Sequence, residues 1–271
     1  ATGATGPSYQ YKQIIWVDPN GNDVNAAAAS QGDMIVPFET LHGALSYLGT
    51  NNLTGWTVEV QAGIYLENVT MVIDNKNTGV TIHLSGGVSI QGDPTGGSKT
   101  LFQIDGEASC VIVGDAIDGE YNHTYNNGPL GGASIVTNGE GQEMFTLSGS
   151  ATSQQLNISN IAMIHPPSTV AAPVIFYNTG SIERHMLNIT NCYVRQDDDA
   201  SGGVIIGTGG SYPKRTVIDI RGTWMTSARD NAGMINLTSM NSNTDEASLK
   251  LRDNFFYCTN IGDVNNDIGI I

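Results

Sequence analysis

The chain has 271 residues, of which 33 are glycine and only 14% are charged, and its formal net charge is −15. This excess of acidic groups makes nucleic acid and anionic membrane surfaces poor partners, and no apolar run is long enough for a membrane-spanning helix, so we expect no membrane insertion. Three cysteines are too few, and odd in number, for a disulfide framework. The composition favours many short strands joined by turns.

The N-terminal part of the chain is predicted to form an arm and a cap. Residues 1–12 are rich in Gly and Thr and are predicted to be a flexible arm, and residues 13–56 are assigned to the cap. The short apolar run Gln13–Val17 predicts a strand. Apolar residues at helical spacing predict one capping helix over 37–48, with Pro37 in its first turn and Gly49 directly after its end.

Residues 57–271 are predicted to form a parallel β-helix, because their C-terminal half repeats at a constant step, the interval from Ile158 to Ile189. Aliphatic residues recur at this step at Ile158, Ile189, Ile220 and Leu251. A constant step of this length is the mark of a solenoid, in which each round buries its apolar face against its neighbours. The length fits about seven rounds of short strands. Cys110 and Cys192 occupy apolar positions of the repeat, so we expect both to be buried.

A sharp bend is predicted two residues after each central aliphatic residue. The residues at this position are Asn160, Asn191, Gly222 and Asp253. Gly, and less often Asn or Asp, accepts a left-handed backbone at low cost. An insert over 118–142 interrupts the step and is predicted to be a surface loop. Residues 267–271 begin a further round, so we expect that the natural chain continues or that another chain covers this end.

Three N-terminal stretches resemble the cap of a known family. They are Ile15–Asp23, Pro37–Leu45 and Val58–Tyr65. They are similar to the cap of pectin-lyase-like right-handed parallel β-helices, in the version found in bacteriophage and viral tail-spike or fibre proteins and in secreted polysaccharide-active proteins. The resemblance implies an all-β, single-stranded, right-handed parallel β-helix, an extracellular or virion-surface location and a trimer. It implies no single activity, because this fold carries lyases, hydrolases, esterases, adhesins and inert virion parts.

The catalytic motifs of the enzymes in this family are missing from the sequence. It lacks the paired Asp residues with a Gln of pectin methylesterases, the Asp–His motif of pectate lyases, and the combination of an Asp-Asp motif with a Gly-His motif that is found in polygalacturonases. No catalytic residue is therefore carried over from the resemblance. No spacing in the chain indicates a Ser/His/Asp triad or a zinc site.

The densest charge cluster consists of Asp197, Asp198 and Asp199, and Asp230 lies one repeat after Asp199. Carboxylates on adjacent rounds can bind Ca²⁺ through their oxygen atoms or act as a general acid and base. A solvated acidic turn is the simpler interpretation and the one that we favour. We therefore expect no cofactor, with Ca²⁺ as the alternative.

An aromatic stripe is predicted on the outer surface. Tyr193, Trp224 and Phe255 share one position of the repeat, where Ala162 stands one round earlier. Each aromatic residue precedes an inward-facing residue, so the rings should point outward. Ile164 and Tyr257, two positions further along, would widen the strip. Such a strip can pack against another chain, stack on sugar rings or lie beneath a turn of its own subunit. We favour the interface between chains.

Charge and loop positions supply two further candidates for recognition. Arg184 and Arg215 lie one repeat apart, and Asp245–Glu246 follows one round later, which predicts a surface ladder of opposite charges. Binding of an acidic sugar there is the alternative. No Lys or Arg lies between Lys99 and Arg184, so that part of the chain should repel a polyanion.

The insert carries Tyr121, His123 and Tyr125. A long loop on a rigid scaffold often carries recognition, so these three residues are candidates for binding. His123 by itself is weak support for acid–base chemistry, because a lone histidine in a loop is usually solvated.

These features favour a non-enzymatic fibre, spike or surface-appendage protein that is structural or receptor-binding and faces carbohydrate. The expected partners are further copies of the chain, other virion or surface components and a polysaccharide. A polysaccharide lyase or glycoside hydrolase acting on an outer groove is the first alternative. A bacterial adhesin or carbohydrate-binding module is the second.

Overall fold

The fold is described by a computed structural model for residues 13–28, 34–94, 100–115, 132–138, 141–167, 172–182, 184–197, 204–208, 215–227, 235–236 and 246–258. These residues are mostly β-strand with two helices, and the strands form three parallel sheets. This confirms a mostly β chain with parallel sheets. The predicted arm at 1–12 and the predicted further round at 267–271 lie outside the described residues.

The three sheets are named A, B and C, and their strands are numbered in chain order. Sheet A contains β1 (Ile14–Val17), β2 (Thr57–Val60), β5 (Val80–Leu84), β8 (Ser109–Gly114), β11 (Gln154–Ser159), β14 (Arg184–Thr190), β17 (Arg215–Arg221) and β20 (Glu246–Arg252). Sheet B contains β3 (Gly63–Glu67), β6 (Val88–Gly92), β9 (Ala133–Val136), β12 (Ile161–His165), β15 (Tyr193–Gln196), β18 (Trp224–Ser227) and β21 (Phe255–Cys258). Sheet C contains β4 (Met71–Ile73), β7 (Thr100–Asp105), β10 (Glu143–Ala151), β13 (Ile175–Ile182), β16 (Ile205–Thr208) and β19 (Ile235–Asn236).

From β2 onward the chain visits sheets A, B and C in turn, and each strand pairs with the strand three places later. In the C-terminal half the partners in sheet A are one repeat apart, as in the ladder Ile158, Ile189, Ile220 and Leu251. The repeat therefore sets the register of the strands, as predicted. This arrangement is compatible with a β-helix.

The hydrophobic core collects the inward-facing side chains of all three sheets into one cluster. In sheet C, Phe145 lies between Phe102 and Ile175 in the strand register. The rings of Phe102 and Phe145 stack with their centres 5.2 Å apart. Cys110 and Cys192 are buried as free thiols, which confirms their predicted positions.

The predicted bends follow the central strands of sheet A. Asn160, Asn191, Gly222 and Asp253 have φ angles of 57°, 52°, 55° and 54°. Each therefore adopts the left-handed backbone that the repeat predicted. Backbone bonds link the bends, because the N–H groups of Asn160 and Asn191 donate to the carbonyls of Thr190 and Arg221.

The described residues of the cap form two helices, where one was predicted over 37–48. Helix α1 spans Asp23–Ala28, and helix α2 spans Leu41–Thr50 with Thr40 as its N-cap. The predicted start at Pro37 was wrong because Phe38 instead forms a bridge with Val17 of β1. Neither helix in the described part of the chain is long and apolar enough to cross a membrane.

The predicted insert over 118–142 was too wide. It includes β9, whose residues pair with β6 and β12 and so belong to sheet B. The segment between β8 and β9 is longer than the corresponding segments of the regular repeats, so the position of β9 does not follow from the repeat. Tyr121, His123 and Tyr125 lie in it, outside the described residues.

Asp23 at the start of α1 anchors the start of α2. Its Oδ1 accepts hydrogen bonds from the backbone N–H groups of Glu39 and Thr40 at 2.8 and 3.0 Å, and its Oδ2 accepts from the Thr40 hydroxyl at 2.6 Å. Thr40 Oγ1 in turn accepts from the N–H of Gly43 at 2.8 Å. The two helices are therefore held together through one carboxylate and one N-cap hydroxyl.

Two glycines of α2 should respond in opposite directions to alanine. A Cβ added at Gly43 would overlap the Asp23 carboxylate, whereas at Gly49 the nearest atom would be Asn77 Nδ2 at 3.7 Å. We expect Gly43→Ala to lower the free energy of unfolding by about 2 kcal/mol, because the carboxylate cannot move without losing its hydrogen bonds. We expect Gly49→Ala to raise it by about 0.5 kcal/mol, because alanine is the better helix former. Chemical denaturation measures both changes, and a loss of equal size in both variants would contradict this account.

Candidate functional site

Sheet B presents the predicted aromatic stripe as a ladder. Tyr193, Trp224 and Phe255, here called the aromatic ladder, are cross-strand neighbours on β15, β18 and β21. Tyr193 and Trp224 are half-buried, and Phe255 is 44% exposed. The structure therefore brings together the three residues that the repeat assigned to one position.

The ring geometry decides what this ladder can bind. The rings of Trp224 and Phe255 stack on each other with their centres 3.8 Å apart and an angle of 25° between them. One face of each ring is thus occupied by its neighbour. A sugar platform offers ring faces to the ligand, whereas stacked rings offer more of their edges. The geometry favours packing against another surface over stacking with sugars.

The aromatic ladder belongs to a longer column without charge. The strand register of sheet B aligns Ile64, Ser89, Ser134, Ala162, Tyr193, Trp224 and Phe255. We call this set the uncharged column. At its N-terminal end Ile64 is 64% exposed, and Leu66 beside it is 60% exposed. The column carries no charge across seven strands, in contrast with the acidic composition of the chain, but Ala162 in its middle is buried, so its exposed apolar residues lie towards its two ends.

The next column is less apolar than the sequence analysis expected. It aligns Ile164, Arg195, Thr226 and Tyr257, so a charged and a polar residue separate the two apolar ones. Tyr257 is placed in the strand, but its side chain lies outside the description. The predicted widening of the strip by Tyr257 is therefore interrupted at Arg195.

Asp197 is the one member of the predicted acidic cluster within the described residues. Arg195 donates from Nε to its Oδ1 at 2.9 Å and from Nη2 to its Oδ2 at 2.7 Å. The hydrogen bonds from Arg195 to Asp197 raise the pKa of the guanidinium. Asp198, Asp199 and Asp230 lie outside the described residues. Asp197 thus forms a bidentate ion pair with Arg195 beside the aromatic ladder.

In the described part of the chain, no group of three His, Cys, Asp or Glu side chains is placed to hold a metal ion. The Ca²⁺ alternative at Asp197, Asp198, Asp199 and Asp230 stays a prediction, since three of these four residues are outside the description.

Sheet A carries a histidine bridge that the sequence analysis missed. His83 lies 2.5 Å from Glu59 through Nδ1 and 3.0 Å from Asp115 through Nε2. Burial lowers the pKa of His83, but the hydrogen bonds and the charge of Glu59 and Asp115 together outweigh this effect. The pKa is therefore raised above its ordinary value. Both ring nitrogens are engaged, so this imidazole ties three adjacent rounds together and is poorly placed as a general base.

A second cluster on sheet A consists of Asp219, Arg221, Lys250 and Arg252, here called the arginine cluster. Asp219 accepts hydrogen bonds from Arg221 at 3.0 and 2.8 Å and from Arg252 at 2.8 Å. The hydrogen bonds from Arg221, together with those from Arg252 and the charge of both, lower the pKa of Asp219 to about 2. Lys250 is the cross-strand neighbour of Asp219. The signal in the sequence was that Arg221 and Arg252 occupy the same position in successive repeats.

The predicted ladder of Arg184 and Arg215 has the expected register. Arg184 pairs with Arg215, which pairs with Glu246 on β20. The Glu246 side chain lies outside the description. Both arginines are exposed on the same outer face as the arginine cluster.

Burial keeps two cysteines and one histidine of the interior neutral. Burial raises the pKa of Cys110 and raises that of Cys192 to about 12, so neither thiol is a ready nucleophile. Burial lowers the pKa of His185 to about 3. The described candidates for function are therefore on the outer faces of sheets A and B.

No family model, no curated protein and no solved structure matches the chain.

Proposed function

We propose that this chain is a surface fibre or spike-like protein, built as a right-handed parallel β-helix and assembled into a homo-oligomer through the outer face of sheet B. Its role is structural or receptor-binding at a virion or cell surface, facing carbohydrate. A trimer is the expected assembly. The observation that carries the proposal is the uncharged column, which runs the length of sheet B and ends in the aromatic ladder.

The strand pattern supports the β-helix. One strand of each sheet makes up a round, and sheet B contains seven strands, so we assign seven rounds. Connections between parallel strands of one sheet are right-handed in almost all proteins, which is the reason for the assigned handedness.

The distribution of charge supports assembly through sheet B. Buried centres of protein interfaces are depleted of charged residues and enriched in aromatic ones. The uncharged column has both properties, and the neighbouring Arg195 is neutralised by Asp197. Sheet A instead exposes Arg184, Arg215 and the arginine cluster, so its outer face is the poorer candidate for a dry interface.

Light scattering of the purified chain tests the assembly. We expect an oligomer for wild type and a shift towards monomer for the double variant Trp224→Ser and Phe255→Ser, because it removes the largest apolar area of the column. Ile64→Glu, at the opposite end of the same column, should also dissociate the oligomer by burying an unpaired charge.

Val72→Glu is the matched control for Ile64→Glu. Val72 is also an exposed aliphatic residue, at 40%, but it lies on sheet C. This variant should keep the wild-type mass. A wild-type monomer at high concentration, or equal dissociation by Val72→Glu, would contradict assembly through sheet B. Circular dichroism verifies that each variant stays folded.

A further inference from the structure

Basic residues gather on one outer face of this acidic chain. Residues 1–183 contain 3 basic and 16 acidic residues, a net charge of −13, whereas residues 184–271 contain 8 and 10, a net charge of −2. Five of the 11 basic residues stand at outward positions of β14, β17 and β20: Arg184, Arg215, Arg221, Lys250 and Arg252. Asp219 stands among them, and Glu246 is in register with Arg215; with both acidic residues counted, these positions of the three strands carry a net charge of +3.

Asp219 positions two guanidinium groups side by side. It is almost buried, and it accepts from Nε and Nη2 of Arg221 and from Nη2 of Arg252. The side chains of Arg221 and Arg252 are each 49% exposed. One carboxylate therefore shares its charge between two guanidiniums, which keep a net positive charge and an open side towards solvent. Such planar donors bind carboxylate and sulfate groups through paired hydrogen bonds.

Neutral polar side chains continue this face over the preceding rounds. In the strand register Asn157 and Asn188 lie in line with Asp219, and Ser159 and Thr190 lie in line with Arg221. Asn188 Nδ2 donates to Asn157 Oδ1 at 2.5 Å. Rows of amide and hydroxyl groups are suited to sugar hydroxyls, because they can both donate and accept. The rows repeat at the strand spacing of about 4.8 Å, which suits a linear polymer with a repeating unit.

We propose that the outer face of sheet A, from β11 to β20, binds a linear glycan that carries carboxylate or sulfate groups. The arginine cluster holds the anionic groups, and the Asn and Ser/Thr rows hold the hydroxyls. The inference deepens the carbohydrate-facing role proposed above and rests on it, but it does not depend on the assembly through sheet B.

Features of the same face disfavour single-stranded nucleic acid as the ligand. The outward positions from β11 to β20 that align with Gln155, Asn157 and Ser159 carry no aromatic residue, and proteins bind single strands largely by stacking bases on aromatic rings. The −13 charge of residues 1–183 would also repel a long polyanion with a charge on every unit. A glycan with spaced anionic groups does not need aromatic rings for stacking, and the acidic residues 1–183 repel it less than they repel a nucleic acid.

Calorimetric titration with three polymers of one backbone tests the proposal. The probes are dextran and two sparsely substituted derivatives with spaced anionic groups, carboxymethyl dextran and dextran sulfate, each titrated at about 50 mM and about 300 mM NaCl. We expect binding of at least one anionic polymer and none of dextran, with affinity falling as salt rises. The two anionic probes distinguish carboxylate from sulfate recognition. Binding of neither anionic polymer, or equal binding of neutral dextran, would overturn the proposal.

The double variant Arg221→Gln and Arg252→Gln should weaken binding about tenfold or more, because it removes both guanidiniums. The variant Lys76→Glu changes the net charge by the same amount in the exposed turn between β4 and β5, away from sheet A, and should bind as wild type does. Equal weakening in both would show attraction by net charge alone and would overturn the site. Equally tight binding of an oligothymidylate would also contradict the glycan assignment. Light scattering on the same samples reports assembly, so loss of binding and loss of oligomer are distinguishable.

Discussion

Replacing Phe145 by alanine is expected to lower the free energy of unfolding by about 4 kcal/mol. Phe145 is fully buried and stacks on Phe102 in the core face of sheet C. Its strand is hydrogen-bonded to a neighbour on each side, β7 and β13. These strands cannot move together to fill the space left by the ring, so the variant should retain most of the cavity. Denaturation by urea measures the loss.

Phe255→Ala is the matched control for this cavity. The same atoms are removed, but Phe255 is 44% exposed and lies on the outer face of sheet B. Measured at a concentration where the chain is monomeric, this variant should lose about 1 kcal/mol or less. Similar losses for Phe145→Ala and Phe255→Ala would contradict the assignment of Phe145 to the core.

The Glu67→Gln variant is expected to gain stability relative to wild type as the pH rises, by up to about 3 kcal/mol between about pH 4.5 and about pH 8. Glu67 is 2% exposed, and its Oε1 accepts the backbone N–H groups of Leu41 and His42 at the start of α2. Burial raises the pKa of Glu67 from 4.5 to about 7, against the lowering effect of these two hydrogen bonds, and the nearby Asp23 raises it further.

The direction follows from this raised pKa. The contribution of protonated Glu67 to stability is fully present below pH 4.5 and is lost as the pH rises through about 7. A rise of this size corresponds to about 3 kcal/mol. Glutamine keeps the acceptor oxygen without the charge, so the variant avoids the cost of ionisation inside the protein.

The measurement is the difference in unfolding free energy between wild type and Glu67→Gln from about pH 4.5 to about pH 8. His185 has the opposite dependence, because its lowered pKa makes the protein lose stability as the pH falls below 6.5. Since His185 is common to both proteins, its effect cancels in the difference. A difference that stays constant over this range would show that burial does not raise the pKa of Glu67.

The constant period of the C-terminal half predicted which side chains meet across strands. The ladder through Ile158 and Ile189 and the aromatic ladder both follow from it, because parallel strands in register place equivalent residues side by side. The left-handed bends at Asn160 and Asn191 were predicted for a related reason: few residue types accept this backbone cheaply.

The irregular N-terminal rounds were harder to predict. Strand β9 was assigned to a loop because the long segment before it breaks the period. The bridge from Glu59 through His83 to Asp115 was missed because its members lie 24 and 32 residues apart, in rounds of unequal length. The start of the capping helix was misplaced because Phe38 fits a helical apolar pattern, whereas its N–H donates to the Trp16 carbonyl of β1.

The sequence by itself determined the parallel β architecture, the in-register ladders and the outward position of the aromatic residues. In a strict repeat, the position of a residue within its round also predicts which residues lie beside it on the neighbouring strands. Only the tertiary structure decided how those residues are used. It turned the faces of Trp224 and Phe255 towards each other and joined Arg221 and Arg252 on the Asp219 carboxylate. The physical reason is that ring orientation and shared hydrogen bonds depend on side-chain packing between neighbouring rounds, which the spacing of residues along the chain does not specify.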